Sequence, residues 1–260
     1  MKNFFKAVVF VAISIIPLFT LGQQINRTSW ISGDFGVNNT WILNQNMYGN
    51  QELPYSPKVG FSGGLGFTYL SYTNGYSTGL RIANLGQSYS GSMAGVNAKR
   101  KVNLTYLQLP VMAMHQMSGR FKTTWLEFGP QFMYLLSAHQ DFSRNDGRPI
   151  VDLQTMSEGH VNVKNRFNPF DVMLKVGLTN MFTSTSKYKL PYRPTEKLIW
   201  TLSLDGAIGL TDINQKQFQT ENTHHIYGTS HNFYVGIRIG IMQKVKMPYL
   251  FSKNNTDSNF

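Results

Sequence analysis

Residues 198–210 read LIWTLSLDGAIGL, and residues 232–241 read NFYVGIRIGI. In both stretches apolar residues recur at nearly every second position, and small, polar or charged residues fill most positions between them. A period of two places successive side chains on opposite faces of a strand. One face of each strand is therefore hydrocarbon, while the other carries glycine and the charges Asp205 and Arg238. This arrangement predicts membrane-spanning strands of a β-barrel, with lipid outside and polar side chains inside.

Six further segments alternate in the same way, so the sequence predicts eight strands in all. Their approximate limits are 29–43, 59–72, 76–84, 102–116, 122–137 and 168–182. Segments of about ten residues are long enough for a tilted strand to cross a bilayer. We therefore predict an all-β fold, namely an eight-stranded antiparallel transmembrane up-and-down β-barrel. An even number of strands places the N- and C-termini together on the periplasmic side.

The connections between the predicted strands alternate between long and short, as they do in outer-membrane barrels. Polar extracellular loops are predicted at 44–58, 85–101, 138–167 and 212–231, and periplasmic connections at 73–75, 117–120 and 183–197. The connection at 183–197 is longer than a periplasmic turn usually is. The basic triplet Lys99, Arg100 and Lys101 ends the second loop, and we interpret it as solvated loop residues rather than a ligand site.

Two prolines lie inside predicted strands, where a missing N–H removes a hydrogen bond from the ladder. Pro110 and Pro130 fall at similar heights on neighbouring strands, on either side of the short turn at 117–120. Bulges are common in barrels and accommodate such an interruption. We therefore expect one shared β-bulge at these two residues.

The first residues have the composition of an export signal. Lys2 and Lys6 form a short basic region before an apolar run over residues 7–21, and Gly22 precedes a predicted cleavage site. The run is short for a membrane-spanning helix, and polar residues follow it at once. The predicted domains are therefore a cleaved signal peptide at 1–22, an outer-membrane β-barrel at 23–246 and a periplasmic C-terminal tail at 247–260.

The overall charge and the absence of cysteine exclude several classes of function. The net charge is +11, which suggests nucleic acid as a partner, but a chain exported from the cytoplasm does not meet it. The sequence contains no cysteine, which excludes disulfides, thiolate chemistry and a lipid anchor on an N-terminal cysteine. Packing and hydrogen bonds alone must therefore hold the barrel together.

The inward faces of the predicted strands carry a set of charged side chains. We predict that they form a barrel-interior charge cluster of Asp34, Arg81, Glu127, Asp171, Lys175, Asp205 and Arg238. An eight-stranded barrel is just wide enough to be filled by side chains, and buried charges need partners. Strand order places Arg238 between Asp34 and Asp205. It also places Lys175 beside Glu127. A packed plug of ion pairs is the favoured interpretation, and a proton or ion path is the alternative.

Histidines are the other candidates for chemistry, namely His139, His160, His224, His225 and His231. Ser230 precedes His231, but neighbours in sequence on a strand point to opposite faces. A nucleophile and a base on one face are therefore not evident, and we predict that the protein is not an enzyme. We expect no catalytic residues, no cofactor and no metal site. A lipid-acting outer-membrane enzyme is the less favoured alternative.

Five short motifs lie on or beside the predicted strands: YLQLP at 106–110, FGP at 128–130, YLL at 134–136, NPFD at 168–171 and GLTDI at 209–213. Together they resemble the PorT-like outer-membrane β-barrel family. The resemblance implies an eight-stranded barrel and, because some relatives have one, a link to a dedicated protein-secretion apparatus. It implies no catalytic residues. The polar tail after the last strand departs from the usual ending, so we expect residues 233–241 to carry the barrel-assembly signal.

The predicted role is that of a non-enzymatic outer-membrane barrel, structural or partner-binding through its extracellular loops, chiefly 138–167. The expected partners are outer-membrane lipids and envelope or secretion-apparatus proteins, and not nucleic acid. A small pore is the main alternative, and it requires a water-filled lumen. Outward aromatic side chains are expected at the two membrane interfaces. Trp41 and Tyr134 belong to the outer interface, and Tyr69, Tyr76 and Trp200 to the inner one.

Overall fold

The computed structural model describes residues 27–43, 55–56, 58–93, 96–117, 123–144, 159–182, 197–218 and 228–245. The predicted signal peptide and the predicted tail lie outside the described residues, as do His224, His225 and most of the 44–58 and 183–197 connections. In the part of the chain that is described, no helix is long and apolar enough to cross a membrane.

Ten strands make up most of the described chain. They are β1 (Arg27–Leu43), β2 (Tyr55–Ser56), β3 (Lys58–Ser71), β4 (Asn74–Met93), β5 (Val96–Gln116), β6 (Thr124–Arg144), β7 (Gly159–Asn162), β8 (Phe170–Phe182), β9 (Leu198–Gly209) and β10 (His231–Val245). Eight of them form an antiparallel ring in the order β1-β3-β4-β5-β6-β8-β9-β10, and β10 pairs again with β1. The short strands β2 and β7 add to β4 and β6. The predicted eight-stranded β-barrel is confirmed.

The barrel has two ends, which we name from the ends of the strands that close it. The lower end is where Ser29 of β1 pairs with Val245 of β10, and the upper end is where Leu43 pairs with His231. Aromatic pairs lie towards both ends of the outer surface. The ring centroids of Tyr134 and Phe170 are 5.1 Å apart towards the upper end. The same distance separates the rings of Tyr69 and Tyr76 at the lower end.

Side chains alternate between a buried interior and an apolar outer surface along the long strands. Leu65, Leu204 and Ile237 point outward with 70%, 53% and 57% of their surface exposed. Their neighbours on the other face, such as Asp205 and Arg238, are buried. A continuous exposed belt of this kind is stable in lipid and unfavourable in water. The parity that the sequence predicted for β9 and β10 is therefore the one observed.

Three strands continue further beyond the belt than the sequence predicted. β4 reaches Met93, β5 starts at Val96 and β6 reaches Arg144, so the predicted loops at 85–101 and 138–167 are partly strand. β7 also lies within the second predicted loop. We call the part of these strands above the belt the upper extension, namely β4 from Leu85, β5 up to Leu104, β6 from Ala138, and β7. Its apolar side chains, such as Leu85 and Leu104, are buried, because its outer face meets water instead of lipid.

The basic triplet lies on β5, which corrects its assignment to a loop. Lys99 and Lys101 are exposed on the outer face, whereas Arg100 is buried. The guanidinium carbon of Arg100 lies 5.4 Å from the ring centroid of Tyr89. Strand alternation therefore divides the three charges between two faces, and they do not form one patch.

The expected bulge at the two prolines was wrong. β5 and β6 keep the same register on both sides of Pro110 and Pro130, so the prolines interrupt the ladder without inserting a residue. The register shift lies instead between Thr105 and Tyr106, where β6 contributes Leu136 as the extra residue. A missing N–H removes hydrogen bonds, but it does not by itself require an additional residue.

Two apolar clusters fill the lumen above and below its middle. The upper cluster includes Tyr106, Leu135 and Phe167, all at most 1% exposed. The lower cluster consists of Trp30, Leu70, Met114, Trp125, Met181, Ile199 and Met242. Six charged side chains lie between these clusters, whereas Lys58 and Asp171 are buried at the level of the upper cluster.

Candidate functional site

Six strands of the ring each place one charged side chain at mid-height in the lumen. We call this set the charge network, and it consists of Asp34 on β1, Arg81 on β4, Glu127 on β6, Lys175 on β8, Asp205 on β9 and Arg238 on β10. The most exposed of these side chains, that of Arg81, is only 11% exposed. Three carboxylates face three cations, so the formal charges cancel. This balance allows the charges to be buried together.

Arg238 lies at the centre of the charge network and contacts all three carboxylates. Its Nε donates to Asp205 Oδ2 at 2.8 Å, and its Nη2 lies 3.3 Å from Asp205 Oδ1. The same Nη2 lies 3.3 Å from Glu127 Oε2, and Nη1 lies 3.6 Å from Asp34 Oδ2. The planar guanidinium has donors in several directions, which suits a group shared between three acids.

The other two cations each contact one carboxylate. Arg81 Nη2 lies 2.8 Å from Asp34 Oδ2, and Lys175 Nζ lies 3.2 Å from Asp205 Oδ2. Strand order places Lys175 beside Glu127. Its ion pair in the structure is with Asp205. Glu127 is satisfied by Arg238 and by the hydroxyl of Thr179, which donates to Glu127 Oε1 at 2.5 Å.

Asp171 does not belong to the charge network, although the sequence analysis grouped it there. It lies near the upper end of β8 and pairs with Met133 of β6. Thr211 Oγ1 donates to its Oδ1 at 2.6 Å, and Asn232 Nδ2 donates to its Oδ2 at 2.8 Å. Its partners in these contacts are thus neutral donors and not cations of the charge network. Asp171 and Lys175 lie four residues apart on β8, which is two repeats of strand alternation. Face parity alone does not reveal this difference in height.

Glycines in register with the network make room for it, and the sequence analysis did not identify them as part of the site. Each of the six charged residues is opposite at least one glycine on a neighbouring strand. These pairs are Asp34 with Gly64 and Gly240, Arg81 with Gly64, Glu127 and Asp205 with Gly177, Lys175 with Gly129, Asp205 with Gly236, and Arg238 with Gly36. Without side chains at these positions, charged groups reach each other across an intervening strand.

Gly64 and Gly177 illustrate how close these approaches are. A Cβ on Gly64 would lie 2.5 Å from Arg81 Cγ and 2.2 Å from the Leu80 carbonyl oxygen. A Cβ on Gly177 would lie 2.6 Å from Asp205 Oδ1. The glycine-rich run of β3 therefore belongs to the lumen packing.

A cavity of about 30 Å³ lies next to the network, on its lower side. Its lining includes Asp34, Glu127 and Arg238 on one side and methionines of the lower cluster on the other. A space of this size holds little more than a water molecule. The arrangement is therefore suited to holding strands together.

The described histidines do not form a nucleophile–base set with Ser230. His231 Nδ1 lies 3.0 Å from the Thr211 carbonyl oxygen, and the buried Ser230 hydroxyl accepts from Asn214 Nδ2 at 2.9 Å. His139 and His160 stack on the outer face of the upper extension, with ring centroids 4.4 Å apart. No group of three His, Cys, Asp or Glu residues is arranged to hold a metal ion in the described ranges.

Comparison with known proteins assigns a family. The family model described as outer membrane protein beta-barrel domain matches residues 22–215 of the chain. The chain belongs to this family. An outer-membrane β-barrel accounts for the lipid-compatible outer belt, and outer-membrane localisation follows from it. Nothing in the comparisons indicates an enzyme.

Two solved structures are similar to this outer-membrane barrel. Neisserial surface protein A (NspA) has 8% sequence identity and a TM-score of 0.41, and the match covers 84% of this chain and 97% of that one. Ail, the attachment invasion locus protein of Yersinia pestis, solved in complex with the heparin analogue sucrose octasulfate, has 10% identity and a TM-score of 0.37, with coverage of 84% and 99%. No curated protein matches the chain.

Proposed function

We propose that this outer-membrane barrel is a closed, non-conducting protein that acts through its outer surfaces and catalyses no reaction. The observation that carries the proposal is the filling of the lumen. An apolar cluster lies above the charge network, a second lies below it, and the network between them is neutral and paired. A solute crossing the barrel would have to displace both clusters and break buried ion pairs, which is costly.

The upper extension is the surface that we assign to partner binding. It is a sheet with an apolar inner face, and its exposed face carries Lys99, Lys101, His139 and His160. We infer that it faces the outside of the cell, with both termini periplasmic, residues 1–22 removed as a signal peptide and 247–260 forming a tail. The resemblance to PorT-like barrels supports a role as an accessory of a protein-secretion apparatus.

Conductance measurements test whether the barrel is closed. Refolded protein inserted into planar bilayers is expected to give no steady single-channel current, because no aqueous route passes the two apolar clusters. A water-filled porin reconstituted in the same way provides the positive control for insertion. Reproducible unit conductance from the wild-type protein would contradict the proposal and favour the pore.

A further inference from the structure

A cavity lies in the barrel wall where β6 and β8 separate, with exposed residues such as Lys164 and Asn165 at its mouth. Their ladder ends with Tyr134 opposite Phe170, and above this pair β6 continues towards its pairing with β7. The chain between β7 and β8 turns away from β6 at this point and leaves a cavity of about 540 Å³. Phe167 and Leu135, which belong to the upper cluster, form the apolar inner side of its lining.

The polar side of this cavity is positively charged. Lys164 lines it together with the amide side chains of Asn162, Asn165 and Gln215, and no acidic residue is among the lining residues. Lys164 Nζ donates to the carbonyl oxygen of Leu136 at 2.7 Å, which holds the ammonium at the cavity. The ammonium has three donors, so two are available to a ligand. Within the described residues Lys164 has no carboxylate partner.

The cavity lies at the height where lipid headgroups are expected. Tyr134 and Phe170 point outward directly below it, with 42% and 48% of their surface exposed, and Leu136 is 38% exposed. Aromatic side chains at the end of an apolar belt mark the membrane interface. Above that level the outer face of β6 carries His139 and Asp141, so the apolar belt ends at this cavity.

We propose that this cavity binds the phosphorylated headgroup of a membrane lipid, with Lys164 contacting the phosphate and the amides of Asn162, Asn165 and Gln215 hydrogen-bonding its oxygens. The acyl chains would continue down the outer surface over Tyr134 and Phe170. The cavity borders the upper extension through Asn162 of β7, and its test does not depend on whether the lumen conducts.

Binding of phosphatidic acid to the refolded full-length barrel in detergent, measured by native mass spectrometry, tests the proposal. Lys164→Gln is expected to weaken binding at least about tenfold, because hydrogen bonds to charged groups are the strong ones. Glutamine still offers an N–H to the Leu136 carbonyl, so the folded structure is expected to persist, and heat modifiability checks this. Lys164→Arg is expected to retain binding, since it retains the charge.

Three comparisons make the result decisive. Lys99→Gln removes the same charge from the upper extension without touching the cavity, and it is expected to leave binding unchanged. Diacylglycerol with the same acyl chains is expected to bind much more weakly, and inorganic phosphate alone not measurably. Equal binding by wild type and Lys164→Gln, equal binding of diacylglycerol, or binding of inorganic phosphate as tight as that of the lipid would each overturn the proposal.

Discussion

Arg238 is the residue on which the charge network depends, because the other two cations each contact a single carboxylate. Without it, Asp34 would keep Arg81 and Asp205 would keep Lys175. Glu127 would lose its only ion pair within the described residues and keep only the hydroxyl of Thr179. The loss of stability on removing Arg238 therefore comes mainly from Glu127, which would remain buried without an ion pair.

We predict that Arg238→Met destabilises the barrel and that Glu127→Gln added to it restores much of the loss. Breaking a buried ion pair from one side costs about 3–5 kcal/mol, whereas removing both charges is far less costly. The double variant keeps the Arg81–Asp34 and Lys175–Asp205 pairs. Urea midpoints of refolded protein in detergent provide the measurement. If the double variant were no more stable than Arg238→Met, an unpaired Glu127 would not be the cause of the lost stability.

Much of the charge network could be predicted from the sequence, because face parity depends only on position along each strand. The neighbours of Arg238 on β1 and β9 followed from strand order. Which carboxylate Lys175 contacts, and the separate position of Asp171, depend on height in the barrel, and that height depends on the stagger between tilted strands. That stagger is set by the register of strand pairing, for example Glu127 opposite Gly177. The alternation in the sequence does not predict this register.

Gly64 provides a test of how tightly the lumen is packed. Gly64→Ala is expected to cost about 1–3 kcal/mol, because its methyl group would meet Arg81 and the Leu80 carbonyl. Gly33→Ala is the matched control on β1, where the nearest atom to a new Cβ is 3.8 Å away. That change is expected to stay within about 0.5 kcal/mol. Equal thermal midpoints for the two variants would contradict the proposed packing.

At the scale of the strands, the upper extension shows that an outward apolar pattern predicts only the membrane-spanning part of a strand. On β4, apolar residues point outward up to Ile82 and inward from Leu85. On β5 the change lies between Leu104, which points inward, and Leu107, which points outward. The outer face meets lipid below this level and water above it. Outward apolar residues therefore predict each strand only as far as the membrane boundary, and the remaining strand residues have the composition of loops.

The lipid-facing belt makes a prediction about charge. Leu204→Arg on β9 and Ile237→Arg on β10 are expected to block accumulation of folded barrel in the outer membrane. Each side chain points outward near mid-strand, where an arginine costs about 2–4 kcal/mol. Asn103→Arg, on the outer face of the upper extension, is the control and should be tolerated. Normal amounts of heat-modifiable Leu204→Arg and Ile237→Arg protein would refute the assigned parity.

At the scale of the whole molecule, the orientation of the barrel can be measured directly because the chain has no cysteine of its own. Lys99→Cys places a single thiol on the upper extension, and Thr123→Cys places one at the lower end, both at exposed positions. A membrane-impermeant maleimide should label Lys99→Cys on intact cells and Thr123→Cys only after the outer membrane is permeabilised. The reverse pattern would place the upper extension in the periplasm.

The pairing of the first strand with the last has a consequence for the order in which the barrel can form. β1 and β10 are joined from Ser29–Val245 to Leu43–His231, and they also supply Asp34 and Arg238 to the charge network. Contacts this distant along the chain form slowly, and an incomplete barrel exposes two unpaired edges that favour aggregation. An N-terminal part of the chain cannot close the barrel before β10 is available to pair with β1. The exported polypeptide must stay unfolded and protected until its last strand has arrived.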